Sequence, residues 1–190
     1  MEENFLKEDV KTRLLLSGLK ELSEYGACDF SLRRAAEAAG VSCAAPYRYF
    51  KGKEEYVAEI ISYLSSRWEL MAKEISKSYE TCGHSLVAEL VAANIRFWIS
   101  QKSAASVFIF SGEETSLLKS ELLGKTLTEK LYRFFTADGS SDVYAKEREM
   151  AVRALLTGYV TLIASGELPN TEESFSAIKR QINSFLLLSE

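Results

Sequence analysis

Five cationic side chains, Arg33, Arg34, Arg48, Lys51 and Lys53, fall within residues 31–53, where Glu37 is the only acid. That stretch carries +4 in a chain of net charge −4, which leaves −8 on the other 167 residues. A basic patch on an acidic protein attracts a polyanion by releasing counterions from its phosphates, and the acidic remainder limits indiscriminate binding. A solvated charged face is the alternative that charge alone leaves open. Other chemistry has little to work with. His84 is the single histidine, which removes most zinc sites, His-dependent triads and HExxH chemistry. The carboxylates are scattered, no glycine-rich phosphate loop follows a strand, and Cys43 lacks a histidine base. Neither catalysis nor a cofactor nor a metal is expected. Cys28, Cys43 and Cys82 are odd in number and unpaired in spacing, and no charged start leads into an apolar segment, so a reduced, cytoplasmic setting is expected. No apolar run approaches the roughly 18 residues of a membrane helix, and no membrane partner is expected.

Helices must position these residues. The 190-residue chain holds 2 prolines and 10 glycines, against roughly 9 and 13 at average usage, so long helices are permitted. With 47% hydrophobic and 26% charged residues, it has the composition of one or two globular domains. Asp9 can cap a helix that closes near Tyr25, with Gly26 as its left-handed cap. Ser31 caps a short helix, Leu32 to Ala39, ended by Gly40. Ser42 caps another through Phe50, and Gly52-Lys53 opens a long periodic run through Ile75. Further helices are expected from Leu86 to Ser100, through Val107-Phe108-Ile109-Phe110, and from Glu113 without interruption to Phe135. Beyond the Asp138-Gly139-Ser140-Ser141 loop come Val143 to Ser165 and Thr171 to Leu188. The expectation is an all-α chain of about nine helices.

Gly40-Val41-Ser42 is a three-residue, glycine-led turn between two short helices, the connection of a helix-turn-helix unit. Around it lie Phe30-Ser31-Leu32-Arg33-Arg34-Ala35-Ala36-Glu37-Ala38-Ala39, Ala45-Pro46-Tyr47-Arg48-Tyr49-Phe50 and Lys53-Glu54-Glu55. In the Gly-Val-Ser turn, the Tyr-x-Tyr-Phe ending and the following lysine, roughly residues 9–68 resemble the DNA-binding domain of the TetR family of bacterial transcriptional regulators. The resemblance implies a three-helix DNA-binding domain over 9–68, with its helix-turn-helix at 31–50. A helical domain for ligand binding and dimerisation would follow over 69–190. A recognition helix presents its N-terminal side chains to base edges, which nominates Ser42, Cys43, Ala44 and Tyr47. Position by position, the resemblance gives Arg33 a guanine edge or phosphate, Tyr47 and Tyr49 the DNA backbone, Lys53 a phosphate, and Ser31 a further phosphate bond. Phe50 is expected in the core. The chain departs from the family at Cys43-Ala44-Ala45, where a polar or basic residue, glycine and threonine are usual, and at Pro46, which the first turn of a helix tolerates.

The resemblance further implies three partners: a double-stranded DNA operator, a small-molecule effector and a second copy of the chain. Apolar stripes suited to pairing are Val152, Leu155, Gly158, Tyr159 and Leu162, then Ile178, Ile182, Phe185 and Leu186. Either stripe can equally be core. Trp68, Phe97, Trp98, Phe108, Phe110, Tyr132 and Phe135 can line an aromatic cavity or pack as core, and Arg96 is the nearby charge for an anionic ligand. His84 reads as a surface residue at a helix start. The function expected is a repressor released by a small apolar or aromatic effector. The alternative is a helical interaction or ligand-sequestering protein with weakened DNA readout.

Overall fold

Capping chemistry sets the first helical boundaries. The computed structural model describes residues 9–26, 28–101, 123–137 and 139–187. Helix α1 (Val10–Tyr25) starts where Asp9 accepts a hydrogen bond from the Lys11 amide at 3.3 Å. Helix α2 (Leu32–Ala38) starts where Ser31 Oγ accepts from the Arg34 amide at 3.4 Å. It ends in a Schellman motif: Gly40 has φ +67°, its amide bonds Glu37 O, and the Val41 amide bonds Ala36 O. Helix α3 (Lys53–Lys77) opens with Glu54 and Glu55 at its positive end. Helices α4 (His84–Ser100), α5 (Gly124–Phe135), α6 (Asp142–Ala164) and α7 (Glu172–Leu187) follow.

The described residues hold these seven α-helices, one turn of 3-10 helix (Pro46–Arg48) and no strand. The expected helix around Val107 to Phe110, and residues 113–122 of the next one, lie outside the described residues. Two expectations are corrected. Residues 42–50 do not form an α-helix. The amides of Ala45, Arg48 and Tyr49 bond three residues back, to Ser42 O, Ala45 O and Pro46 O, at 2.9–3.1 Å, and only the Phe50 amide reaches four back, to Pro46 O at 2.9 Å. Pro46 has no amide to give the Ser42 carbonyl, and the tighter winding lets Ala45 take that carbonyl instead.

The second correction is at Gly124, where helix does not run uninterrupted to Phe135. Gly124 has φ +70°, and a Cβ there would lie 2.4 Å from Glu69 Oε1 and 2.8 Å from Trp68 Cδ1. Side chains of α3 take the backbone groups at this point. Trp68 Nε1 donates to Leu123 O at 2.7 Å, and Glu69 accepts from Thr126 through its amide at 3.0 Å and its hydroxyl at 2.6 Å. Glu69 thereby caps α5 from another helix, meeting the free amides and positive end of the helix with a carboxylate.

Helix α4 is central. Leu86, Val87, Leu90, Val91, Ile95 and Trp98 are buried on several of its faces, and α3, α5, α6 and α7 all pack on it. At the other end of α3, α1 packs on both α2 and α3. The same helix therefore joins the basic segment to the large core.

Candidate nucleic-acid interface

The basic segment rests on a small aromatic core. Tyr56 of α3 stacks on Phe50 with ring centroids 4.1 Å apart and meets the edge of Phe30 at 5.2 Å. Its hydroxyl donates to Leu14 O in α1, and burial pushes the phenol up to about 12. Gly18 lets this ring approach α1, since a Cβ there would sit 2.8 Å from it. Phe50 is 1% exposed, as expected of a core residue.

Polar braces hold α2 and the loop before it. Glu21, 6% exposed on α1, accepts from the Ser31 amide at 3.1 Å and from Arg34 Nε at 2.7 Å. Arg34 also donates to Asp29 O and lies over the Tyr25 ring, and its hydrogen bond to Glu21 holds the guanidinium above its ordinary range. Lys53 Nζ donates to Cys28 O at 2.8 Å. Arg13 donates to Ala39 O at 3.3 Å, at the negative end of α2. These contacts fix how α2 leaves α1, and with it the position of the turn.

What remains outward is the candidate interface. Ser42, Cys43, Ala44, Tyr47 and Tyr49 are exposed, Tyr47 by 65% and Tyr49 by 37%. Arg33, Arg48 and the Lys51 side chain are exposed, with no hydrogen bond or ion pair to another described residue. Ser31 is half-buried as the cap of α2, and Lys53 is half-buried with one ammonium donor on Cys28 O. The patch thus divides into Arg34 and Lys53, which brace the fold, and Arg33, Arg48 and Lys51, whose side chains are left to solvent. An unpaired guanidinium on such a surface suits a phosphate or a base edge. Sequence reasoning missed Glu21. Its signal was an acid three residues after Gly18 and seven after Leu14, on the face that packs inward.

Residues 14–60 match the family model described as bacterial regulatory proteins, tetR family. This segment belongs to the TetR family. A TetR-type segment binds DNA in the control of transcription, and the outward cations and tyrosines lie within or beside the matched residues. None of the curated proteins matches the chain in sequence. Solved structures share the fold over nearly its whole length. The transcriptional regulator FadR from Bacillus subtilis, in complex with stearoyl-CoA, is 14% identical over 94% of this chain and 98% of its own, with a TM-score of 0.70. A single-substitution variant of TetR from Acinetobacter baumannii, in complex with minocycline, is 18% identical over 95% and 98%, with a TM-score of 0.65. AibR, in complex with isovaleryl coenzyme A and operator DNA, is 13% identical over 93% and 97%, with a TM-score of 0.64.

Outside the TetR-family segment, the expected aromatic site is dispersed. Trp68 and Trp98 are fully buried, Phe97 lies 5.7 Å from Trp68 and 5.3 Å from Trp98, and Phe135 is buried beneath Arg148. These four pack as core. Phe108 and Phe110 lie outside the described residues. Tyr132 is exposed, and its bond to Asp142 raises the phenol pKa. It lines a cleft of about 450 Å³ between α5 and α6 with Thr128, Arg133, Ala145 and Lys146. Arg96 does not await an anion: Glu172 holds it with two bonds of 2.8 and 2.6 Å, and it covers Phe175. His84 starts α4 as expected but is half-buried, near Asn183 O at 3.4 Å.

The expected pairing stripes are corrected as well. Val152, Ile178, Ile182 and Leu186 are buried in the chain's own core at 3% exposure or less. They face α4 and its neighbours because the apolar period of a helix marks whatever face is covered, from within or without. Leu155, Gly158, Tyr159, Leu162 and Phe185 instead line a shallow surface groove with Ala151 and Ala154. No group of three histidine, cysteine or acidic side chains able to hold a metal occurs among the described residues. No described helix is long and apolar enough to cross a membrane.

Proposed function

We infer that this TetR-family DNA-binding regulator is a homodimeric repressor that a small, largely apolar effector releases from its operator. The observation that carries the reading is the continuity of α3. Its first residue, Lys53, braces the loop before α2, and Trp68 and Glu69, four turns on, clamp the start of α5 in the large core. A shift of α5 reaches the turn through one rigid element, which is what coupling between two sites requires. We propose DNA contacts by Ser31, Arg33, Ser42, Cys43, Ala44, Tyr47, Tyr49 and Lys53. The division at residues 68 and 69 falls inside α3, so the DNA-binding and the ligand-binding units share that helix.

Pairing is supported by the groove at Leu155, Gly158, Tyr159, Leu162 and Phe185. It adjoins Val143 and Met150, both about two-thirds exposed, on an apolar row along α6. A second copy doubles the base contacts and fixes half-site spacing. The bound ligands of FadR and AibR, both acyl-CoA thioesters, make such compounds the first to screen. The test is operator selection from a random DNA pool, followed by release with acyl-CoAs and aromatic compounds while Trp68 and Trp98 fluorescence is followed. Selected DNA released by one class of compound, with matching tryptophan changes, is the expected result. Selected DNA that nothing releases removes the effector. A chain that selects no DNA favours the sequestering alternative, to which the small apolar side chains of Cys43-Ala44-Ala45 point.

A further inference from the structure

Helices α3, α4 and α7 leave a groove between them that lies apart from both the basic segment and the pairing groove. Its apolar lining is Met71 and Ile75 from α3, Ala92 and Ala93 from α4, and Phe175 and Ile178 from α7, around a volume of about 510 Å³. Small-molecule sites are mostly apolar, lie between the helices of bundles and enclose roughly 300–1,000 Å³. The apolar share of α4 in this lining is two methyl groups, too little to fill the space between α3 and α7. Met71 is 43% exposed, so the groove holds apolar surface in water, and the flexible thioether of methionine adapts to whatever covers it.

The charges around the groove pair with one another. Lys179 Nζ donates to Glu89 at 2.9 Å, and Arg96 donates to Glu172 at 2.8 and 2.6 Å while its guanidinium lies 4.3 Å from the centre of the Phe175 ring. Two cations and two carboxylates cancel, and the exposed hydroxyl of Ser176 is the remaining polar side-chain group of the lining. A charged ligand has to break one of these pairs to gain a partner. An uncharged, apolar one covers Met71 and Phe175 and leaves both pairs in place. Both pairs are solvent-exposed and therefore weak, so the rim can part as a ligand enters. Met71 and Ile75 follow Trp68 and Glu69 on α3, so an occupant bears on the helix that clamps α5.

We propose that this groove is a binding site for an uncharged, apolar small molecule. It gives the effector inferred above a place, yet its test needs no DNA, so the site and the operator reading can fail separately. The probe is N-phenyl-1-naphthylamine, an uncharged aromatic amine whose fluorescence rises in apolar surroundings, titrated into the full chain. Wild type should bind it saturably. Ala92→Leu, which fills the groove, should weaken binding about tenfold or more, as an extra methylene or two does in a hydrophobic pocket. Met71→Gln, a change at a half-exposed position that spares the core, should weaken it in the same direction, and circular dichroism checks that both variants fold. Ala151→Leu, in the pairing groove, should leave the affinity unchanged. The sulfonated analogue 8-anilino-1-naphthalenesulfonate, the same rings with a negative charge, should bind the groove more weakly. A wild-type chain that does not bind the uncharged probe overturns the site, and so does binding that folded Ala92→Leu and Met71→Gln both leave intact. If Ala92→Leu does not fold, Met71→Gln decides alone. Tighter binding of the sulfonate, lost in the same variants, overturns the uncharged class. Variants that change the sedimenting mass but not the probe affinity make the groove an interface between copies of the chain and overturn the small-molecule site.

Discussion

The turn region, residues 31–53, and the terminal helices α6 and α7 both promised surfaces, and folding treated the two promises differently. Arg33, Arg48 and Lys51 stay in solvent without a partner, while half of the apolar stripe on α6 and α7 is inside the chain's own core. An ionised side chain stays wet unless it finds a partner, because burying it alone is costly. An apolar side chain accepts any cover, whether from its own chain or from another. A charge pattern therefore points to a surface, whereas an apolar pattern points only to a contact. Arg34 marks the exception, since Glu21 was waiting for it 13 residues upstream.

The division of the α6 and α7 stripe gives the largest expected effect. Ile182→Ala should cost about 2–5 kcal/mol of stability, as for large-to-small changes in a packed core, read from denaturant unfolding. Leu155→Glu with Leu162→Glu should instead leave a folded chain, by circular dichroism, that sediments as a monomer and binds its operator far more weakly. A folded double mutant that stays dimeric moves the interface elsewhere.

The neighbouring arginines sharpen the contrast on the other side. Arg33→Ala should cost roughly 1–3 kcal/mol of operator binding with an unchanged melting temperature. Arg34→Ala should lower the melting temperature, because it leaves the buried Glu21 carboxylate with one hydrogen-bond donor fewer. Equal effects of the two on binding and stability would erase the division between bracing and contacting cations.

Smallest is the Tyr56 effect at the base of the turn. Tyr56→Phe removes the bond to Leu14 O, at about 1 kcal/mol. The folded-state phenol, raised to about 12 from an unfolded value of 10.0, favours folding in its neutral form. That contribution is fully present below pH 10 and is lost as pH rises from 10 toward 12. Wild type should lose stability across that window more steeply than Tyr56→Phe, by equilibrium denaturation at each pH.

The helix starts at Asp9 and Ser31, the left-handed glycines at 26 and 40, the core place of Phe50 and the exposure of Ser42, Cys43, Ala44, Tyr47 and Tyr49 were legible in the sequence. Each depends on chemistry within a few residues, caps and turns above all, which the local chain carries complete. The break at Gly124 was not legible, because it depends on Trp68 and Glu69, more than 50 residues away, competing for backbone groups that a continuous helix would have used. Pro46 was visible, but the 3-10 winding it accompanies also depends on Phe50 docking on Tyr56. Tertiary packing alone decided which cations brace and which face outward, and which apolar residues of α6 and α7 were left at the surface. Those outcomes depend on what another element happens to offer, a carboxylate for Arg34 and the apolar faces of α4 and its neighbours for Val152 and Ile182, and no local pattern records that.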